Sequence, residues 1–131
     1  MTLKAAPAIR NIYWCEFPAD MRFPEFWKTR QVVVVSFKNA LTGPILVVPM
    51  TTAAQLGYKW AVKLAKNPNP KNTCDVWVVC NHLYTVACSR LSTFGGVVPR
   101  LGEEEFRAIN GRIFNGYRRC CRLTAEAVRP K

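Results

Sequence analysis

Gln31-Val32-Val33-Val34-Val35-Ser36-Phe37, then Lys38-Asn39-Ala40-Leu41-Thr42-Gly43-Pro44, then Ile45-Leu46-Val47-Val48-Pro49-Met50: this stretch decides how the rest of the chain is read. Four consecutive β-branched residues are stiff at χ1 and crowd a helix, and an unbroken apolar run suits a strand buried on both faces. Residues 39–44 hold Asn39, Gly43 and Pro44, the chemistry of a turn, and Ile45 to Met50 is apolar again. Residues 31–50 therefore predict a β-hairpin whose loop is longer than the tightest two-residue turns.

Upstream, Asn11 to Phe17 mixes Ile12 with Trp14 and reads as a strand ended by Pro18. From Pro18 to Thr29, two prolines lie among charged and aromatic residues, which predicts an exposed loop of the kind that often carries function. Downstream, Lys59 to Ala65, Asp75 to Cys80 and Thr85 to Cys88 predict short strands, and the two Asn-Pro pairs in Asn67 to Thr73 predict a loop. Gly102 to about Tyr117 is the one expected helix. Glu103, Glu104 and Glu105 complement the positive end of its dipole, Arg118 and Arg119 the negative end, and Phe106, Ile109, Ile113 and Tyr117 form one apolar stripe. The remaining residues, to Lys131, read as a short basic tail. Strands followed by one terminal helix predict a mainly β fold, a small barrel or curled sheet with the helix docked on it. With 131 residues the chain has room for one domain, its core at about 10–117.

Half of the residues are hydrophobic and 21% are charged, a balance that places the chain among folded proteins. Nineteen Lys and Arg against eight Asp and Glu give a net charge of +11, which attracts a polyanion, nucleic acid first and an acidic protein second. Residues 1–10 carry no apolar core with a small-residue cleavage site, and no apolar run approaches the ~20 residues that span a bilayer, so a cytoplasmic protein without membrane contact is expected. In a reducing cytosol Cys15, Cys74, Cys80, Cys88, Cys120 and Cys121 are expected as free thiols. Without a CxxC pair, and with a single histidine, neither a metal nor another cofactor is expected.

Three segments in order, Ile12-Tyr13-Trp14, Lys28-Thr29-Arg30-Gln31-Val32-Val33-Val34-Val35-Ser36 and Val47-Val48-Pro49-Met50-Thr51-Thr52, resemble the MazF/PemK (Kid-like) toxins of type II toxin-antitoxin systems. The resemblance runs from about Arg10 to Tyr117. It implies an SH3-like small barrel with a C-terminal helix, working as a homodimer. It also implies metal-independent endonucleolytic cleavage of single-stranded RNA at short sequences, in which the 2′-hydroxyl attacks the adjacent phosphorus.

That chemistry needs a base, a cation at the phosphoryl oxygens and an acid at the leaving oxygen. Arg30 matches the family's active-site arginine, and a planar guanidinium can hold two phosphoryl oxygens; the alternative is a surface arginine ending a strand. Thr51 matches the active-site threonine, with a strand-end threonine bonded to its own backbone as the alternative. Thr52 reads as structural. Glu25 matches an acidic loop position in some members and could take the 2′-hydroxyl proton, or could be merely solvated. Some PemK-type members use an arginine and an aspartate where this chain has Val79 and Asn81, and Gln31 replaces the proline that commonly follows the active-site arginine. His82, beside the altered position, could supply an acid or base near neutral pH, or could be a structural hydrogen-bonding residue. Phe26, Trp27 and Tyr84 could stack bases, with Arg22 and Lys28 on the phosphates and Asn81 beside them. For Phe26 and Trp27, loop packing or a dimer contact is the alternative.

The resemblance names as partners RNA and a cognate antitoxin whose acidic, flexible tail covers the RNA groove. Two rival functions stay open: a poison of a protein target, since the same fold hosts an inhibitor of DNA gyrase, and an RNA-binding homologue weakened in cleavage.

Overall fold

The computed structural model of the chain describes residues 3–18, 20–22 and 28–128, with side chains up to residue 115 in the last helix. Its elements are β1 (Ile12–Phe17), β2 (Lys28–Val34), β3 (Pro44–Thr51), β4 (Ala61–Lys63), β5 (Trp77–Val79), β6 (Tyr84–Ala87), β7 (Leu91–Ser92) and α1 (Glu103–Val128), with a 3-10 turn at Cys88–Arg90 before β7. Every expected strand is present. β7 was not expected, because two residues carry no periodicity.

The hairpin of residues 31–50 is the centre of the sheet. β2 and β3 pair antiparallel with Val32 opposite Pro49, Val33 opposite Val48 and Val34 opposite Val47. Beyond the ladder, Val35 N donates to Leu46 O at 2.9 Å, and the Ser36 hydroxyl bonds Asn39 Oδ1 at 2.7 Å, which pins the turn. β1 covers the other edge of β2, Ile12 opposite Val33 through Phe17 opposite Lys28.

Alternation along these strands feeds two cores. Val32, Val34, Ile45 and Val47 pack with Tyr13, Cys15, Phe17 and Leu91. Val33, Val48 and Met50 pack with Ile12, Val78, Leu101 and the helix residues Phe106 and Ile109. The Val-rich strand is thus buried on both faces, as its composition requires. α1 covers the second core with its predicted stripe, Phe106, Ile109 and the half-buried Ile113, and Glu105 Oε2 accepts from Ala65 N at 2.9 Å.

The mainly β fold with one terminal helix is the expected one, and of the small barrel and the unclosed sheet it is the unclosed sheet: its path runs β4-β5-β3-β2-β1-β7 among the described residues, with β6 on β3. The opening arises on β3, whose one edge holds β6 along Pro44–Val47 and then β5 along Met50–Thr51, so that the sheet divides there. The loop after Pro18 ends before Lys28, not at Thr29, because Lys28 and Thr29 pair with Phe17 and Glu16 of β1. Finally, α1 runs on to Val128, so Arg118 and Arg119 lie inside the helix, not at its end, and most of the expected tail is helical. Arg, Leu, Ala and Glu, all good helix formers, make up much of that extension.

Candidate active site

Arg30 lies near the start of β2 and Thr51 at the end of β3. The β2–β3 ladder ends with Val32 opposite Pro49, and Arg30 and Thr51 each lie two residues beyond it on their own strand. Both line a cleft of about 160 Å³, with Trp14, Thr29, Gln31, Met50, Thr52, Asn72 and Val76.

Thr51 is 9% exposed, and its Oγ1 accepts from Ala53 N at 3.1 Å. The backbone contact of the structural alternative is thus present, yet it engages the oxygen only as an acceptor. The hydroxyl proton is the part that can be offered to a phosphoryl oxygen. Thr52 is exposed at the rim.

Gln31 is a residue whose role the residue pattern did not reveal. Its Nε2 donates to Asn67 Oδ1 at 3.2 Å, while its Oε1 is buried without a hydrogen-bond partner. Asn67, itself 7% exposed, donates to Cys74 O at 3.0 Å and accepts from Asn69 N at 3.0 Å. This polar chain ties the loop of residues 67–74 to the floor of the cleft, and Asn72 of that loop reaches the cleft wall. The only available signal was a glutamine at the head of a valine run.

The other expected site residues are distributed differently. Glu25, Phe26 and Trp27 lie outside the described residues. Lys28 is exposed at the start of β2 with φ of 69°, a left-handed conformation that strains a lysine. Arg22 is exposed between β1 and β2. Asn81 and His82 form the turn between β5 and β6 and do not line the Arg30 cleft. Asn81 Nδ2 donates to the Tyr58 hydroxyl at 2.6 Å, and its Oδ1 is 3.1 Å from His82 Nδ1. Tyr84 is half-buried, its ring tilted against Phe17 at 5.1 Å, so packing holds much of the surface proposed for stacking.

The buried thiols are poor nucleophiles. Burial pushes Cys15 up to about 12, against a smaller lowering by Arg90, and pushes Cys80 up to about 12, against a smaller lowering by Arg112. Burial also raises Cys88. Among the described residues no three His, Cys, Asp or Glu gather as a metal-holding group, and no helix is long and apolar enough to cross a membrane.

The chain thus carries an open antiparallel sheet with a long terminal helix, and an arginine and a threonine that line one cleft at the end of its central hairpin. The chain belongs to the PemK-like, MazF-like toxin family of type II toxin-antitoxin systems, whose family model matches residues 10–115. MazF from Deinococcus radiodurans has the same fold, with a TM-score of 0.67 at 20% identity over 82% of this chain and 93% of that one. A mycobacterial endoribonuclease in complex with its cognate antitoxin aligns with a TM-score of 0.63 at 18% identity over 86% of this chain and 95% of that one. The toxin MazF-mt6 of Mycobacterium tuberculosis aligns at 0.59 and 20% identity over 82% and 96%. No curated protein sequence matches the chain.

Proposed function

We propose that this protein is a cytoplasmic endoribonuclease toxin that cleaves single-stranded RNA without a metal, acts as a homodimer and is silenced by an antitoxin with an acidic tail. The observation that carries the reading is the sharing of one cleft by Arg30 and Thr51, in a chain of this toxin family with a net charge of +11. Its structural neighbours, an endoribonuclease bound to its cognate antitoxin among them, support the activity and the partner.

In the proposed reaction the substrate's 2′-oxygen forms a bond to phosphorus, and the bond from phosphorus to the 5′-oxygen breaks. A 2′,3′-cyclic phosphate and a 5′-hydroxyl result. Arg30 holds two phosphoryl oxygens and offsets the extra negative charge of the pentacovalent transition state. Thr51, its oxygen already accepting from Ala53, donates its proton to the phosphate and orients it. Glu25 takes the proton from the 2′-hydroxyl and returns one to the leaving 5′-oxygen, and His82, on the β5–β6 turn outside the cleft, shares that role only where the bound strand reaches its turn. Arg22, Lys28, Phe26, Trp27, Asn81 and Tyr84 contact the flanking RNA.

A second reading, an RNA-binding homologue weakened in cleavage, is favoured by Asn81. It stands where PemK-type relatives have an aspartate and is tied to the Tyr58 hydroxyl. A non-enzymatic poison has no use for an arginine and a threonine brought together in a cleft. Purified protein and end-labelled RNA in EDTA test the reading: cleavage to cyclic-phosphate ends is expected. Replacing the one 2′-hydroxyl 5′ of the cut by hydrogen should abolish it. Cleavage of that deoxy substrate at full rate, or a 5′-phosphate on the downstream fragment, overturns the mechanism.

A further inference from the structure

A second cleft lies beside that of Arg30, about 810 Å³ in volume and walled by residues 55–61, Lys63, Trp77, Arg112 and Asn115. Tyr58 stands on its wall, 39% exposed. The turn that carries Tyr58 is held in place: Tyr58 N bonds Gln55 O at 3.0 Å, Ala61 N bonds Tyr58 O at 3.1 Å, and Arg112 of α1 donates to Lys59 O. Gly57 takes φ of 76°, which a side chain would disfavour, so the turn's shape depends on glycine.

Two hydrogen bonds tie this turn to the one between β5 and β6. Cys80 N bonds Trp60 O at 2.8 Å, and Asn81 Nδ2 donates to the Tyr58 hydroxyl at 2.6 Å. An amide that gives its nitrogen to Tyr58 turns its oxygen the other way, and Asn81 Oδ1 lies 3.1 Å from His82 Nδ1. An amide oxygen only accepts, so the proton of that bond belongs to the ring, on Nδ1. A neutral imidazole carries a single N–H, so its lone pair then sits on Nε2. His82 is steadied elsewhere as well: its backbone N bonds Val79 O at 3.2 Å, and the Tyr84 ring lies at 30° to its own with centroids 6.4 Å apart.

We propose that Asn81, anchored by Tyr58, is a positioning residue that holds His82 as the Nδ1–H tautomer and so makes Nε2 the atom that exchanges a proton with the bound strand. The proposal rests on the ribonuclease reading for that proton. Nε2 takes it from the substrate's 2′-hydroxyl as the 2′-oxygen bonds to phosphorus, or, from the imidazolium, returns it to the leaving 5′-oxygen. Nδ1 keeps its own proton, and its bond to Asn81, throughout. Asparagine suits the task, because one end accepts from the ring while the other donates to the anchor, and a carboxylate has acceptors only. The role is additional to the RNA contact given to Asn81 above, since it acts through the ring.

His82 is the chain's one histidine, so its tautomer can be read without ambiguity. The test is a heteronuclear NMR spectrum of the tag-free, isotope-labelled protein that correlates the ring nitrogens with the ring's carbon-bound protons, taken above the pH at which the ring loses its charge. Wild type should carry its proton on Nδ1. Asn81→Ala should move the ring toward the Nε2–H form that an unpartnered imidazole prefers, Asn81→Asp should restore Nδ1–H, and Tyr58→Phe should shift it part of the way. Asn81 and Tyr58 are both exposed, so these variants should keep the wild-type backbone amide spectrum. In single-turnover cleavage at saturating protein, Asn81→Ala should be several-fold slower. The loss should be smaller than for His82→Gln, because the unpartnered ring still visits the Nδ1–H form. The double variant should be no slower than His82→Gln alone, as expected when one residue acts through the other.

A wild-type ring protonated on Nε2 overturns the proposal, since the Asn81 amide is then turned the other way. So does a tautomer that Asn81→Ala leaves unmoved, an Asn81→Ala rate equal to that of wild type, or losses that multiply in the double variant. Failure of the ribonuclease reading looks different: wild type that cuts no RNA sinks that reading and the proton transfer with it, while the spectrum still decides whether Asn81 sets the tautomer.

Discussion

The two clefts differ in kind although paired strands, β3 at Thr51 and β5 at Trp77, line one each. The Arg30 cleft is narrow, about 160 Å³, floored by a buried glutamine with an orphaned oxygen and rimmed by a threonine 9% exposed. The cleft at residues 55–63 is about five times larger and open, and its polar groups are mostly solvated. Chemistry on a phosphorus needs a few groups held closely and partly desolvated, where charges act strongly. Binding a flexible strand needs area, cations and rings, none placed to better than an ångström or so. The same sheet supplies both because β3 ends in one cleft, while β5, paired to β3, and β4, paired to β5, line the other.

The sharpest way to break this contrast is Arg30→Ala. Loss of one transition-state contact typically slows a reaction by about 10²–10³, so cleavage should fall by that order while RNA affinity changes only a few-fold. Thr51→Ala should slow cleavage as well, and should lower stability by about 1 kcal/mol through the lost bond to Ala53 N. Single-turnover rates and thermal melts measure both. An Arg30→Ala protein that cleaves at the wild-type rate removes the catalytic meaning of the narrow cleft.

His82 lies on the turn whose Asn81 reaches Tyr58, so it asks to which cleft that turn contributes. If it transfers a proton, His82→Gln should slow cleavage by about 10² and remove a limb near neutral pH from the rate profile. An unchanged profile with weaker binding would instead assign the turn to RNA holding.

The floor of the narrow cleft can be tested without any substrate. Asn67→Ala strands Gln31 Nε2, Asn69 N and Cys74 O together, and should cost about 2–3 kcal/mol in denaturant unfolding. Gln31→Met removes a buried orphan acceptor along with one hydrogen bond. The two effects nearly offset, and stability should stay within about 1 kcal/mol. Equal destabilisation by both substitutions would mean that the glutamine oxygen has a partner.

The smallest effect concerns the thiols. Cys15 and Cys80 are neutral in both folded and unfolded chains below their ordinary pKa of 9.0, so the stability they contribute is present there. It is lost as pH rises from 9.0 toward about 12, where only the unfolded chain ionises. Melting temperature should decline through that window. In a Cys120→Ser/Cys121→Ser background, iodoacetamide at pH 8 should label exposed Cys74 and spare Cys15, Cys80 and Cys88. Ready labelling of Cys80 in the folded protein would contradict its burial under α1.

By itself the sequence determined the central hairpin, the short strands, the helix start and its stripe, because each is written in local periodicity and turn chemistry. The family motif named Arg30 and Thr51 together, and the structure has both lining one cleft. The tertiary structure alone decided the rest. Whether the sheet closes depends on how β5 and β6 divide one edge of β3, a competition between distant segments. The start of β2 depends on Phe17 and Glu16 drawing Lys28 and Thr29 into pairing, against the loop chemistry of their neighbours. The tie from Gln31 to Asn67 spans 36 residues, and the wide cleft joins the turn after β3 to Arg112 of α1. No pattern along the chain records such contacts, since burial and hydrogen bonding between remote segments are settled only when the strands pair and the helix docks.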